Sequence, residues 1–397
     1  MDLQKLKTDL ENDLKENILG YWVKNVYDPA GHTFFGRIAL DESPDPEFSK
    51  SAVLITRILW TFSAAYRRYP GPEYKLMADA AYGVITNYFQ DRKNGGIYWE
   101  ITGDNKPADT KKQFYALAFC IYACSEYFLA FGNEQAKQMA LSLFMTIEAR
   151  SFNTRNNGYI DVLSKEFKKA SGLRLSEKEI ADTMTMNTHL HILEAYTNLY
   201  RIWNTEELRQ KLENLLRLFL DKIINHTTWH FNLFFDDKWN VVGQIDSYGH
   251  DIEGTWLLCE AAEALQNKTI LKEVAETAVR MAEVTVKEGL VPSHGGLLYE
   301  KEAGHLLEEY HWWPQAEAVI GFFNLWQLTR KRKYLDYALN SLKFIRKYIA
   351  DKKYGEWFWG LDKNLQPLPI EKVNGWKGPY HNSRMYLELI RRIEGLP

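Results

Sequence analysis

Five of the ten histidines stand where an apolar helical run begins: His189 and His191 in "NTHLH", His250 in "SYGHDIE", His311 in "HWWPQAEA" and His381 in "PYHNSR". A helix N-terminus presents free N–H groups and the positive end of the helix dipole. That setting favours a neutral imidazole and an adjacent oxyanion. Imidazole also has an ordinary pKa of about 6.5, suited to proton removal near neutral pH. The set points to general acid–base chemistry, and in particular to removal of a proton next to a carbonyl. The enediolate so formed needs a cation or N–H donors to hold it. Arg57, in "LITRILW" near the start of another such run, can supply that charge.

Spacing separates these residues further. His250 and Glu253 are three apart and share a helix face. His189 and His191 are two apart and diverge, so one faces inward. His191 is read as the inward one and His189 as a cap or packing residue. The remaining histidines, His32, His226, His230, His294 and His305, fall in hairpins or at helix ends and are not read as catalytic.

Other chemistries leave weaker traces. The chain has no H-E-x-x-H, no cysteine pair with zinc spacing and no EF-hand loop, so no metal is expected. It has no G-x-G-x-x-G between strand and helix, no P-loop and no G-x-S-x-G elbow, so no cofactor is expected either. Glycoside hydrolysis stays open as a competitor, because Glu253 and Glu317 each follow a helix-start histidine and could act as facing carboxylates. A non-catalytic sugar-binding barrel is a further alternative. Aromatics make up 14% of the chain, with 13 tryptophans, and stacking on sugar rings would use them.

The elements that must position these residues repeat along the chain. Six short segments share a glycine or aromatic entry, an alternating apolar run and polar turn residues. They begin at Phe34, Gly95, Asn157, His230, Gly295 and Glu356. Apolar helical runs follow, from near residues 51, 111, 187, 248, 311 and 380, a step of about 66 residues. Polar, amphipathic runs precede each hairpin, over 3–20, 73–90, 133–149, 205–224, 268–288 and 332–350. Six such helix pairs close into a ring with the apolar helices inside. The expected fold is therefore all-α, an (α/α)6 barrel with short β-hairpins on the active-site face, forming one domain over 1–397.

Composition bounds the partners. The formal charge of −3 carries no footprint for nucleic acid or an anionic membrane. No stretch is expected to approach the length of a transmembrane helix, the N-terminus lacks an apolar leader, and a cytoplasmic location is expected. The three cysteines, Cys120, Cys124 and Cys259, fit a reducing compartment, with the first two packed in the core. The chain is expected to act as a monomer or weak homodimer on a small-molecule substrate.

Four segments carry a family resemblance: "TMNTHLHILEAYTNLYRIW", "SYGHDIEGTWLL", "HWWPQAEAVIGFFN" and "GWKGPYHNSRMYLE". In order and content they resemble signature segments of the cellobiose 2-epimerases, within the N-acylglucosamine 2-epimerase superfamily of (α/α)6 barrels. The resemblance implies reversible epimerisation of the reducing-end glucose of β-1,4-linked disaccharides, such as cellobiose and lactose, to mannose. Deprotonation and reprotonation at C2 would run through a cis-enediolate, without metal or nucleotide. It implies His250 and His381 as the acid/base pair and His191 as a third essential imidazole. Arg57 would hold the enediolate, and Tyr115 and Asn187 would bind the reducing-end sugar. Glu253 would orient His250 or bind hydroxyls, Trp313 and Trp376 would form aromatic walls, and Glu317 would join the polar site. Aldose–ketose isomerisation and monosaccharide 2-epimerisation are the alternatives within the superfamily. One-base and two-base proton transfer are both open.

Overall fold

A computed structural model describes residues 3–169, 172 and 184–396. Six inner helices run through it: α2 (Ala52–Arg68), α4 (Phe114–Phe131), α6 (Met186–Tyr200), α8 (Tyr248–Ala264), α10 (Trp312–Thr329) and α12 (Tyr380–Glu394). Six outer helices alternate with them: α1 (Leu3–Asn12), α3 (Pro72–Val84), α5 (Glu134–Arg150), α7 (Glu206–Leu218), α9 (Lys268–Glu288) and α11 (Arg332–Phe344). Each inner helix touches the next, and α12 touches α2, so the ring closes. The fold is an (α/α)6 barrel.

Sequence composition explains the two layers. Inner helix α4, "FYALAFCIYACSEYFLAF", is apolar nearly all round and is packed on all sides. Outer helix α7, "EELRQKLENLLRL", buries Leu208, Leu212, Leu215 and Leu216 and turns its charges to solvent. Each inner helix packs on the outer helix that follows it, and α12 packs on α1. That last contact joins the two ends of the chain, with Lys7 of α1 on Glu394, and Arg68 at the end of α2 reaches the same carboxylate.

Helix α4 corrects one expectation. By length and composition Phe114–Phe131 could cross a membrane, yet 78% of that window is buried in the barrel wall. Cys120 and Cys124 lie within it, buried and unpaired covalently, with sulfurs 3.9 Å apart. The outer runs also differ from single helices. α1, α3, α7 and α11 pass into π-type turns, at Asp13–Leu19, Ile85–Phe89, Phe219–Ile223 and Ile345–Ile349.

Short ladders stitch one repeat to the next and aim the inner helices. Lys50–Ser51, just before α2, pairs with Glu100–Ile101 of the following hairpin. Lys112–Gln113 pairs with Val162–Leu163, Met184–Thr185 with Phe234–Phe235, Ile245–Ser247 with Glu300–Glu302, and Tyr310–His311 with Gly360–Leu361. First-turn N–H groups, which a helix cannot satisfy itself, are used in the same seams. Those of Ala52, Phe114, Met186 and Trp312 donate to the carbonyls of Trp99, Asp161, Leu233 and Trp359. The N-terminal ends of the inner helices are thereby fixed around one face of the barrel.

Candidate active site

A cavity of about 320 Å³ opens among these helix N-termini. Arg57, Tyr115, Asn187, His191, His250, Glu253, Trp313, Trp376 and His381 all line it. Sequence spacing over more than 300 residues therefore converges on one chamber. The further walls include Tyr299, Glu300, His311, Trp312 and Trp359.

The imidazoles are each held from behind. His191 Nδ1 lies 2.9 Å from Glu194 Oε2, and His381 Nδ1 lies 2.7 Å from Glu317 Oε1. His250 Nδ1 lies 2.9 Å from Ser247 Oγ. Trp313 packs on the His250 ring at 4.7 Å between centroids and on His381 at 5.7 Å. Gly249 makes this possible, since a Cβ there would stand 2.6 Å from the Trp313 ring. Burial deep in the barrel pushes His250 down to about 3, with His191 and His381 adding to the shift. Burial likewise pushes His381 to about 3 despite Glu317, and lowers His191 despite Glu194. All three are neutral at pH 7 and available as bases.

Arg57 spans the seam between α2 and the loop before α12. Its Nη1 donates to the Trp376 carbonyl at 2.5 Å and its Nη2 to Tyr115 Oη at 3.0 Å. The guanidinium lies over the Phe119 ring, 4.7 Å from its centroid. Asn187 faces the same cavity with a buried side-chain oxygen that has no partner among the described residues. Such an oxygen is costly to leave unmade and is suited to accept from a ligand hydroxyl.

Beneath the histidines sits a charge cluster that the spacing argument did not find. Arg384 Nη2 donates to Glu253 Oε1 and Glu317 Oε1, each at 2.7 Å. Its Nη1 contacts Glu194 Oε1 and Tyr380 Oη, and Tyr380 also contacts Glu194. Burial pushes Glu317 and Glu194 up, but Arg384 and the histidine partners outweigh it, and both stay ionised. Glu253 goes the other way: burial and its two carboxylate neighbours raise it, and Arg384 only partly opposes them. A partial signal was present in the sequence. Arg384 and Glu194 each stand three residues past a cavity histidine, and Glu194 is the single carboxylate of α6.

Several readings are corrected here. Glu317 was expected to join the sugar-binding groups. Its carboxylate instead lies behind His381, hydrogen-bonded to His381, Arg384 and Trp256 Nε1, and it is not part of the cavity wall. For the same reason Glu253 and Glu317 do not flank a glycosidic bond, because they share one guanidinium nitrogen on one side of the chamber. Trp359 also lines the cavity. His311 lines it too, with Nε2 2.7 Å from Glu309 Oε2 and its ring stacked on Tyr299. His189 is placed in the wall between repeats. Its Nδ1 lies 2.7 Å from the Thr185 carbonyl, and its Nε2 accepts the Tyr159 N–H at 3.0 Å.

Among the described residues, two groups of side chains have the types and proximity for a metal: Glu253, Glu317 and His381, and separately His230, Asp246 and Glu288. Each already faces a protein cation. Arg384 contacts the first pair of carboxylates, and Lys301 Nζ lies 2.9 Å from Asp246 and 3.0 Å from Glu288.

Comparison with known proteins gives the family and the fold. A sequence model of the N-acylglucosamine 2-epimerase (GlcNAc 2-epimerase) family matches residues 33–384. A cellobiose 2-epimerase of Bacteroides fragilis is 43% identical, over 97% of this chain and 98% of that protein. One from Dictyoglomus turgidum is 37% identical, over 99% and 100%. The structure of the cellobiose 2-epimerase from Bacillus thermoamylovorans superposes with a TM-score of 0.93 at 34% identity, covering 98% of this chain and 100% of that one. With a matched sequence model, near full-length relatives and the same barrel, the chain belongs to the N-acylglucosamine 2-epimerase family.

Proposed function

We propose that this protein is a cofactor-independent carbohydrate 2-epimerase acting on β-1,4-linked disaccharides such as cellobiose and lactose. It interconverts the glucose and mannose configurations of the reducing-end sugar. The observation that carries this reading is the convergence of three buried, neutral imidazoles and one guanidinium on a single aromatic-walled cavity.

The cycle follows from the groups present. A cavity histidine assists opening of the pyranose ring, which exposes the carbonyl and acidifies the C2 proton. His250 or His381 takes that proton, and the cis-enediolate oxygens face Arg57 and the inner-helix N-termini. His191 stands beside O1 and O2. Return of a proton to the opposite face of C2, followed by ring closure, gives the epimer. Tyr115 and Asn187 hold the open sugar, while Trp313 and Trp376 supply apolar surfaces for its C–H faces. The second sugar extends towards Tyr299, His311 and Trp359.

NMR of cellobiose incubated with the protein in D2O tests this. Deuterium at C2 of the reducing sugar, with a mannose-configured disaccharide appearing, is the expected result. Free glucose without C2 exchange would overturn it in favour of hydrolysis. Exchange with proton return to C1 would give a ketose and the isomerase reading.

A further inference from the structure

We infer that Glu194 and Ser247 are positioning residues that divide the labour among the three cavity imidazoles. Glu194 fixes His191 as a proton acceptor, as Glu317 does for His381, and Ser247 leaves His250 free to change tautomer. The inference rests on the proposed reaction for its consequences, but its structural content can be tested without it.

The argument is one of donors and acceptors. An ionised carboxylate only accepts. Glu194 Oε1 is taken by Arg384 and Tyr380, so Oε2 is the atom left for His191 Nδ1. Glu317 Oε2 accepts the Trp256 N–H at 2.9 Å, and its Oε1 is shared by Arg384 and His381 Nδ1. In both histidines the proton therefore sits on Nδ1, and the Nε2 lone pair is free to accept. Arg384 is common to both arrangements. It keeps the two carboxylates ionised, and so ties together two tautomers on different helices.

His250 is held differently. Its Nδ1 partner is a hydroxyl, which donates or accepts with equal ease. Ser247 is the N-cap of α8, and N-cap hydroxyls ordinarily accept a first-turn N–H. Ser51 does so for Leu54 and Thr185 does so for Thr188. Ser247 makes no such bond. Its backbone is pinned by the ladder to Glu300, and its hydroxyl is directed to His250 instead. A helix cap has been given up for a contact that permits both imidazole tautomers. A group that carries a proton on Nε2 in one half of a reversible reaction, and lacks it in the other, can be neutral in both only by shifting between tautomers, which the hydroxyl contact permits.

The test is ¹⁵N NMR of histidine-labelled protein, with signals assigned by loss in H191Q, H250Q and H381Q. In the wild type, His191 and His381 should show protonated Nδ1 and unprotonated Nε2, and His250 should show averaged shifts. In Glu194→Gln the side-chain oxygen still serves Arg384 and Tyr380, so the amide nitrogen turns to His191. The amide donates, Nδ1 becomes the acceptor, and the His191 tautomer should invert. In Ser247→Ala, kcat should fall about tenfold with KM unchanged, the scale of one lost hydrogen bond. Ser247→Thr, which keeps the hydroxyl, should restore it. An unchanged His191 spectrum in Glu194→Gln, a single fixed tautomer at His250, or equal activity in the Ala and Thr variants would overturn the inference. If the tautomers are as stated and cellobiose shows no C2 exchange, the proposed reaction fails and the assignment of Glu194 and Ser247 stands.

Discussion

Replacing Arg384 with methionine keeps the aliphatic stem and removes the charge that three carboxyl groups share. Arg384 is 1% exposed, and Glu194, Glu253 and Glu317 are buried beside it. Breaking a buried ion pair from one side costs about 3–5 kcal/mol, because the remaining charge loses its partner. The carboxyls can escape by taking up a proton. For a Glu of ordinary pKa 4.3 that costs about 3.7 kcal/mol at pH 7 and about 1 kcal/mol at pH 5. The histidine partners offer a second route to the same end, at the loss of their neutral state. The sign follows. In the wild type, Glu194 and Glu317 are held low, so their stabilisation is present above the ordinary carboxyl range and fades as pH falls through their folded pKa values. In Arg384→Met the same groups are raised, so stability is lost as pH rises and regained in acid. Urea denaturation at pH 7 should show a deficit of at least about 3 kcal/mol with an unchanged m-value, and the deficit should shrink by pH 5. A deficit below about 1 kcal/mol at pH 7, or one that grows on acidification, would refute the view that Arg384 is the counter-ion of this cluster.

The cavity groups give three further expectations. His250→Gln and His381→Gln should each lower kcat about 10²–10⁴-fold with cellobiose binding retained, read by isothermal titration beside steady-state rates. Arg57→Met should lower kcat about 10²–10³-fold, the scale of losing one preorganised enediolate donor, and slow C2 deuterium exchange in parallel. The pH profile should be unusual. An imidazole of ordinary pKa 6.5 is only about 3% neutral at pH 5. With His250 and His381 both near 3, kcat/KM should hold from pH 7 down to pH 5. An acid limb centred near 6.5 would mean that the catalytic base is not buried as found here.

The barrel was legible because its logic is repeated and local. An apolar run such as "FYALAFCIYACSEYFLAF" can satisfy itself only by burial on all sides, and six of them at similar steps leave few ways to close. The ladders between repeats were not legible. They involve two or three residues each, below the length at which alternation carries a signal. The cavity was readable to the extent that its members cluster at helix starts. Glu317 was misplaced because sequence gives its position on α10, whereas its partner Arg384 comes from α12.

His189 and His191 show where such reading stops. They share one turn of α6, and a spacing of two sends them to different faces. That much follows from helix geometry, but which face is the lumen does not. The choice is made by groups far away in the chain. The Tyr159 N–H, 30 residues upstream, meets His189 Nε2, so both ring nitrogens of that histidine are occupied and it has none left for chemistry. Among the described residues His191 has only Nδ1 engaged, by Glu194, and Glu194 is in turn held ionised by Arg384, 190 residues downstream. One local sign did separate the two. Glu194, the single carboxylate of α6, stands three positions after His191 and on its face of the helix, and it marks the imidazole whose second nitrogen is left to react.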